Sequence, residues 1–240
     1  MALDYAVSKI RGPKNTEVVL TVLHKSEFEP QEIKIKRTEI KIQSVKWELL
    51  GQAKNIGYIK LSQFNEDTEK NFKAAASNIL KYQPKGLILD LRNNPGGFLD
   101  TAVVVANFWV EQGVIVKERV KGQDGASYQA RGWAPLSNLK TIVLINEGSA
   151  PASEIVAGAL QDYQKATILG EKSFGKGSVQ NFQDFKDGSN LKLTVAEWLT
   201  PLGRSINEVG ILPDIEVKLT YEDYNTDRDP QLDKAIDLLE

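Results

Sequence analysis

The sequence predicts an α/β fold whose sheet is mixed and largely parallel, and three observations carry that expectation. Residues 87–91 and 141–145 are short, nearly continuous apolar runs, the pattern of strands buried on both faces. Each run is followed by a turn of small residues and then by an amphipathic stretch. This alternation recurs from residue 57 to about residue 169, and right-handed crossovers wind such repeats into a layered core.

Taken in order, residues 2–11 space Leu3, Ala6, Val7 and Ile10 as a short helix stopped by Gly12-Pro13. Residues 16–24 and 32–36 alternate and read as a hairpin, and residues 39–50 and 57–61 read as further strands. Asn65 is the expected cap of a helix with Phe72, Ala75, Ala76, Ile79 and Leu80 on one face, broken by Pro84-Lys85-Gly86. After the strand at 87–91 and the turn Asn93-Asn94-Pro95-Gly96-Gly97, residues 99–112 read as a helix and 114–120 as a strand. The strand at 141–145 leads through Gly148-Ser149 into a helix over 151–163, and residues 166–169 return as a strand. Residues 180–185 and 191–199, joined at Asp187-Gly188, read as an appended antiparallel hairpin, and residues 232–239 as a final amphipathic helix.

The chain has 240 residues, 41% hydrophobic and 26% charged, a globular balance that excludes fibrous and disordered classes. Thirty basic and 32 acidic residues leave a net charge of −2, which gives no electrostatic case for nucleic acid. Cysteine is absent and histidine occurs once, at His24. Thiol nucleophiles, cysteine-held metals and multi-histidine metal sites are therefore excluded, and no metal or organic cofactor is expected. A hydrolase built on this sequence needs lysine or carboxylates as its base; His24 reads as a solvated strand-end residue. No apolar stretch is long enough to span a membrane, and no signal peptide is visible after Met1.

Three turns are candidates for chemistry. Gly96-Gly97, between a buried strand and a helix, reads either as a tight turn or as bare backbone N–H groups that cradle an oxyanion. Gly148-Ser149-Ala150-Pro151-Ala152-Ser153-Glu154 reads either as helix capping or as a strand-to-helix turn presenting a nucleophile. Lys176, between Gly175 and Gly177, is either a surface lysine or one whose proton is lost in a cramped site, free to act as a base.

Together these turns resemble a family pattern. Asp90-Leu-Arg-Asn-Asn-Pro-Gly-Gly97, Asn146-Glu-Gly-Ser-Ala-Pro-Ala-Ser-Glu154, residues 170–180, Thr200-Pro-Leu-Gly-Arg-Ser-Ile206 and Gly210-Ile-Leu-Pro-Asp-Ile-Glu-Val217 resemble, in order, the carboxyl-terminal processing (tail-specific) proteases. Residues 1–41 look like the last helix and closing strands of the family's PDZ domain. The resemblance implies a ClpP/crotonase-like core over 42–225 and a C-terminal helix over 226–240. It also implies a serine–lysine endopeptidase acting on extended or unfolded C-terminal segments of proteins, with homo-oligomers allowed and relatives outside the cytoplasm. It places the general base at Lys176, its orienting glutamine at Gln180, and the oxyanion amides at Ala152 and at Gly96 or Gly97.

Two departures stand out. The family nucleophile precedes its lysine by 25 residues, and that position is Pro151, which has no hydroxyl. Ser149 and Ser153 flank it, but a displacement of about 1 Å already costs catalysis heavily. The resemblance also begins within the PDZ helix, so the loop that captures a substrate carboxylate is expected to be missing. Peptidase activity is therefore expected to be absent or very weak, and a non-catalytic peptide-binding or regulatory pseudoprotease is the alternative. Acyl-thioester chemistry on the same fold is a more remote reading.

Overall fold

A computed structural model describes residues 3–23, 29–39, 43–226 and 228–240. The chain divides into two compact units, residues 1–42 and 43–240.

The first unit holds helix α1 (Leu3–Ile10) and the antiparallel pair β1 (Glu17–Val22) and β2 (Gln31–Lys36). The Arg37 guanidinium donates to the Lys9 and Ile10 carbonyls, to the Glu17 carbonyl and to the Thr16 hydroxyl. One side chain thus satisfies carbonyls left open at the helix end and ties them to the hairpin. His24 lies outside the described residues.

The second unit runs β3 (Val45–Leu50), β4 (Ile56–Leu61), α2 (Thr68–Leu80), β5 (Gly86–Asp90), α3 (Leu99–Ala106), β6 (Val114–Val120) and β7 (Gln123–Gln129). It continues through β8 (Thr141–Ile145), α4 (Ala152–Asp162), β9 (Thr167–Gly170), β10 (Ser178–Asp184) and β11 (Asn190–Leu199). β12 (Ile215–Glu216), α5 (Tyr221–Asn225) and α6 (Pro230–Leu239) close it. Six strands form one sheet in the order β12-β9-β8-β5-β4-β3, parallel throughout except for the β3–β4 pair.

The period of two along each strand divides the core. Leu87, Leu89, Val143 and Ile145 pack with α2, α3 and α4 on one face. Ile88, Ile142 and Leu144 pack against Ala235 and Leu239 of α6 on the other. Both faces are covered, which is why β5 and β8 are buried along their whole length.

Several sequence expectations are corrected. α2 starts at Thr68 with Asp67 as its cap residue, not Asn65. The Thr68 hydroxyl donates to the Asn65 side-chain oxygen at 2.8 Å, so Asn65 builds the turn before the helix. α3 ends at Ala106, because residues 107–110 tighten into turns that let the buried Trp109 indole donate to Thr141 Oγ1 at 2.8 Å. β6 leaves the parallel core for a separate four-stranded sheet, β10-β11-β6-β7, in which every pairing is antiparallel. It carries Lys117, Glu118 and Arg119, charges that a strand buried on both faces does not hold. β7, β12 and α5 were not predicted; β7 is polar and mostly exposed, so it leaves no apolar period.

Candidate active site

β5, β8 and β9 are neighbours in the sheet, and the three candidate turns all leave its carboxyl edge. That edge is where open α/β sheets place ligands. Residues 91–98 connect β5 to α3, residues 146–151 connect β8 to α4, and residues 171–177 connect β9 to β10.

Hydrogen bonds weld the first two turns together. Asn93, in the left-handed region (φ 57°), donates its backbone N–H to Asn146 Oδ1 at 2.8 Å. The Asn146 amide returns a bond to Asn93 Oδ1 at 3.0 Å, and Asn146 Oδ1 also accepts from Gly148 N. The buried Asn94 donates to the Leu61 carbonyl and accepts from Gly96 N at 2.9 Å.

The two glycines therefore differ. The Gly96 amide is occupied, whereas neither the Gly97 amide nor the Ala152 amide has an acceptor among the described residues. Gly97 has φ +144°, and a Cβ there would lie 1.8 Å from the Phe64 carbonyl oxygen, so the position admits only glycine. A Cβ on Gly96 would lie 3.2 Å from both the Ala152 nitrogen and Pro151 Cδ, which places the glycine turn directly against the start of α4.

Pro151 caps α4 with φ −35° and ψ −53°, and its carbonyl accepts from Ile155 N. The missing N–H costs nothing in a first turn. The flanking serines are committed elsewhere. Ser149 Oγ donates to the Leu91 carbonyl at 2.8 Å and accepts from Asn146 N, and Ser153 Oγ donates to the Asn94 carbonyl at 3.1 Å. Both are fully buried.

The third turn hangs from α4 by one carboxylate. Glu154, wholly buried, accepts from Ser173 Oγ at 2.7 Å, Gly175 N at 2.6 Å and Lys176 N at 3.1 Å. Burial pushes its carboxyl above the ordinary range, against the pull of those donors and of Lys172. In the sequence Glu154 is only the last residue of a turn that reads as helix capping or as one presenting a nucleophile. Lys176 itself is exposed rather than cramped, and its ammonium has no ion-pair partner among the described residues. The Gln180 amide donates to Ser178 Oγ at 3.1 Å and Thr194 Oγ1 at 2.8 Å. Asn93, Pro95, Glu147, Gly148, Ala150, Phe174 and Lys176 line one cleft.

A buried ion cluster that sequence reasoning missed supports the first turn from behind. Arg92 pairs with Asp90 at 2.7 Å and with Asp229, the cap residue of α6, at 2.8 Å, and Tyr58 donates to Asp90 at 2.8 Å. Burial opposes the Arg92 charge, but the two carboxylates hold it protonated, and burial together with Asp90 drives the Tyr58 phenol well up. Arg92 and Asp229 are 137 residues apart, a pairing without a local signature.

Free backbone amides beside a helix N-terminus, with an unpaired lysine lining the adjoining cleft, make a layered α/β core able to stabilise a developing oxyanion without histidine. A profile of peptidase family S41 matches residues 55–217, and the chain belongs to that family. It is 44% identical over 218 residues to the "Probable CtpA-like serine protease" of Staphylococcus aureus (strain COL), covering 90% of this chain and 43% of that protein. The protein of the same name from Staphylococcus epidermidis is 42% identical over 217 residues, again with 43% of its length covered. The chain thus spans less than half the length of these curated relatives.

Among solved structures, the photosystem II D1 C-terminal processing protease superposes with a TM-score of 0.73 at 32% identity. That match covers 89% of this chain and 59% of that one. Mature CPAF complexed with lactacystin superposes with a TM-score of 0.62 at 14% identity, covering 95% of this chain and 68% of that one, a likeness of fold alone. No described helix is long and apolar enough to cross a membrane.

Proposed function

We propose that the chain is the core of a carboxyl-terminal processing serine endopeptidase in which proline occupies the nucleophile position, so that it holds extended peptide and cuts it very weakly or not at all. The observation that carries this reading is the shared cleft, into which the turns after β5, β8 and β9 bring Pro95, Ala150 and Lys176. In the competent form a serine hydroxyl at position 151 attacks the peptide carbonyl, and Lys176 Nζ takes its proton as general base. The Gly97 and Ala152 amides stabilise the oxyanion, and Lys176 then passes the proton to the leaving amine. Water next hydrolyses the acyl-enzyme, with the lysine again as base. Gln180 orients the lysine on this reading, giving up its bonds to Ser178 and Thr194 to do so. Residues 1–41 correspond on this reading to part of a PDZ domain, and the substrates are unfolded or extended C-terminal segments outside the cytoplasm.

A second reading, a non-catalytic peptide-binding protein that can associate with active relatives, is favoured by Pro151 together with the buried, committed hydroxyls of Ser149 and Ser153. Reaction with a peptidyl diphenyl phosphonate separates the two by intact mass. The first predicts a stoichiometric adduct on Pro151→Ser that is lost in Pro151→Ser/Lys176→Ala and absent from the parent. The absence of an adduct on Pro151→Ser leaves the binding protein.

A further inference from the structure

Phe174 is 63% exposed, yet the backbone around it is among the most firmly held near the cleft. Its N–H donates to the Ser149 carbonyl at 3.1 Å, and the residues on either side, Ser173 and Gly175, are buried and bonded to Glu154. Gly175 has φ +87°, and a Cβ there would lie 3.1–3.3 Å from the Glu208 backbone. Phe174 and Lys176, on either side of that glycine, both line the cleft, where Pro95 and Ala150 supply further apolar surface. A large apolar ring kept in water on a rigid backbone loses little conformational freedom when a ligand covers it, so its surface is available to favour apolar ligands.

We propose that Phe174 is a specificity-determining residue, forming the wall that takes an apolar side chain next to the bond presented to Lys176 and disfavours a neutral polar one. The inference rests on the proposed peptide-binding cleft and adds to it the residue that selects. Leucine or valine there covers the apolar surface of Phe174, Pro95 and Ala150, whereas a neutral side-chain amide gives up its water against that surface.

The test uses two fluorescent peptides that differ only in a central leucine or asparagine, titrated by anisotropy into the chain as it stands. The leucine peptide is expected to bind about tenfold more tightly. Phe174→Ala should reduce that ratio to less than about threefold by weakening the leucine peptide alone, and Phe174→Leu should keep most of it. Since Phe174 is exposed, its loss leaves the core intact, which the unchanged affinity for the asparagine peptide verifies. A ratio unchanged in Phe174→Ala overturns the inference while leaving the peptide cleft standing. Failure of both peptides to bind overturns the inference together with the cleft.

Discussion

Glu154 Oε1 and the Gly175 amide meet at 2.6 Å, joining the first turn of α4 to the loop that carries Lys176. The bond fixes the backbone of the lysine relative to position 151 while leaving the lysine side chain free. Glu154→Gln places an amide N–H where the site needs acceptors. We expect a loss of about 1–3 kcal/mol in unfolding free energy and faster amide exchange across residues 173–177. Exchange there as slow as in the parent would show that other contacts hold the loop.

The same carboxyl and that of Asp229 should make stability depend on pH in opposite senses. Burial raises Glu154, so the folded state keeps a proton that the unfolded chain has released, and stability falls as pH rises from the ordinary value of 4.5 through the raised one. Burial alone would raise Asp229 too, but the bonds from Arg92 and the Leu232 amide prevail and lower it below 3.8. Its contribution is present above 3.8 and is lost as pH falls through the lowered value. Urea titrations across pH should show the first slope vanish in Glu154→Gln and the second in Asp229→Asn; a slope that survives its substitution contradicts the assignment.

Arg92 and Asp229 should not be equivalent. Arg92→Ala strands the fully buried Asp90 with Tyr58 as its remaining side-chain partner, and a cost of about 3–5 kcal/mol is expected. Asp229, whose side chain is 35% exposed, can be replaced by asparagine at about 1 kcal/mol, since water screens part of its interaction. Thermal unfolding of the two variants checks the order.

Gly97→Ala should be severely destabilising, by about 3 kcal/mol, because the new methyl overlaps the Phe64 carbonyl and neither backbone segment can retreat without breaking the Phe64–Gly96 and Phe98–Phe64 bonds. A folded variant with unchanged melting temperature would mean that the turn is softer than its packing implies.

What the sequence revealed and what it concealed follow from the range of the interactions. The runs at 87–91 and 141–145 were legible because strands buried on both faces must be apolar throughout. The turns at Gly96-Gly97 and Gly175-Lys176 were visible through their glycines. Glu154 showed no sign of holding the lysine loop because its three donors come from 19 to 22 positions away. Asp229 gave no sign of reaching Arg92, and of the two readings the sequence left open for Lys176 the exposed one is observed. The choice between Gly96 and Gly97 as the free amide needed the Asn94 side chain, which turns back onto Gly96 and leaves Gly97 alone.

The most direct test is cleavage of unfolded β-casein by the chain beside its Pro151→Ser variant. The account predicts fragments from the variant alone, and none once Lys176→Ala is added. Fragments from the parent at a comparable rate would contradict it, because neither Pro151 nor the buried hydroxyls of Ser149 and Ser153 could then be what limits the chemistry.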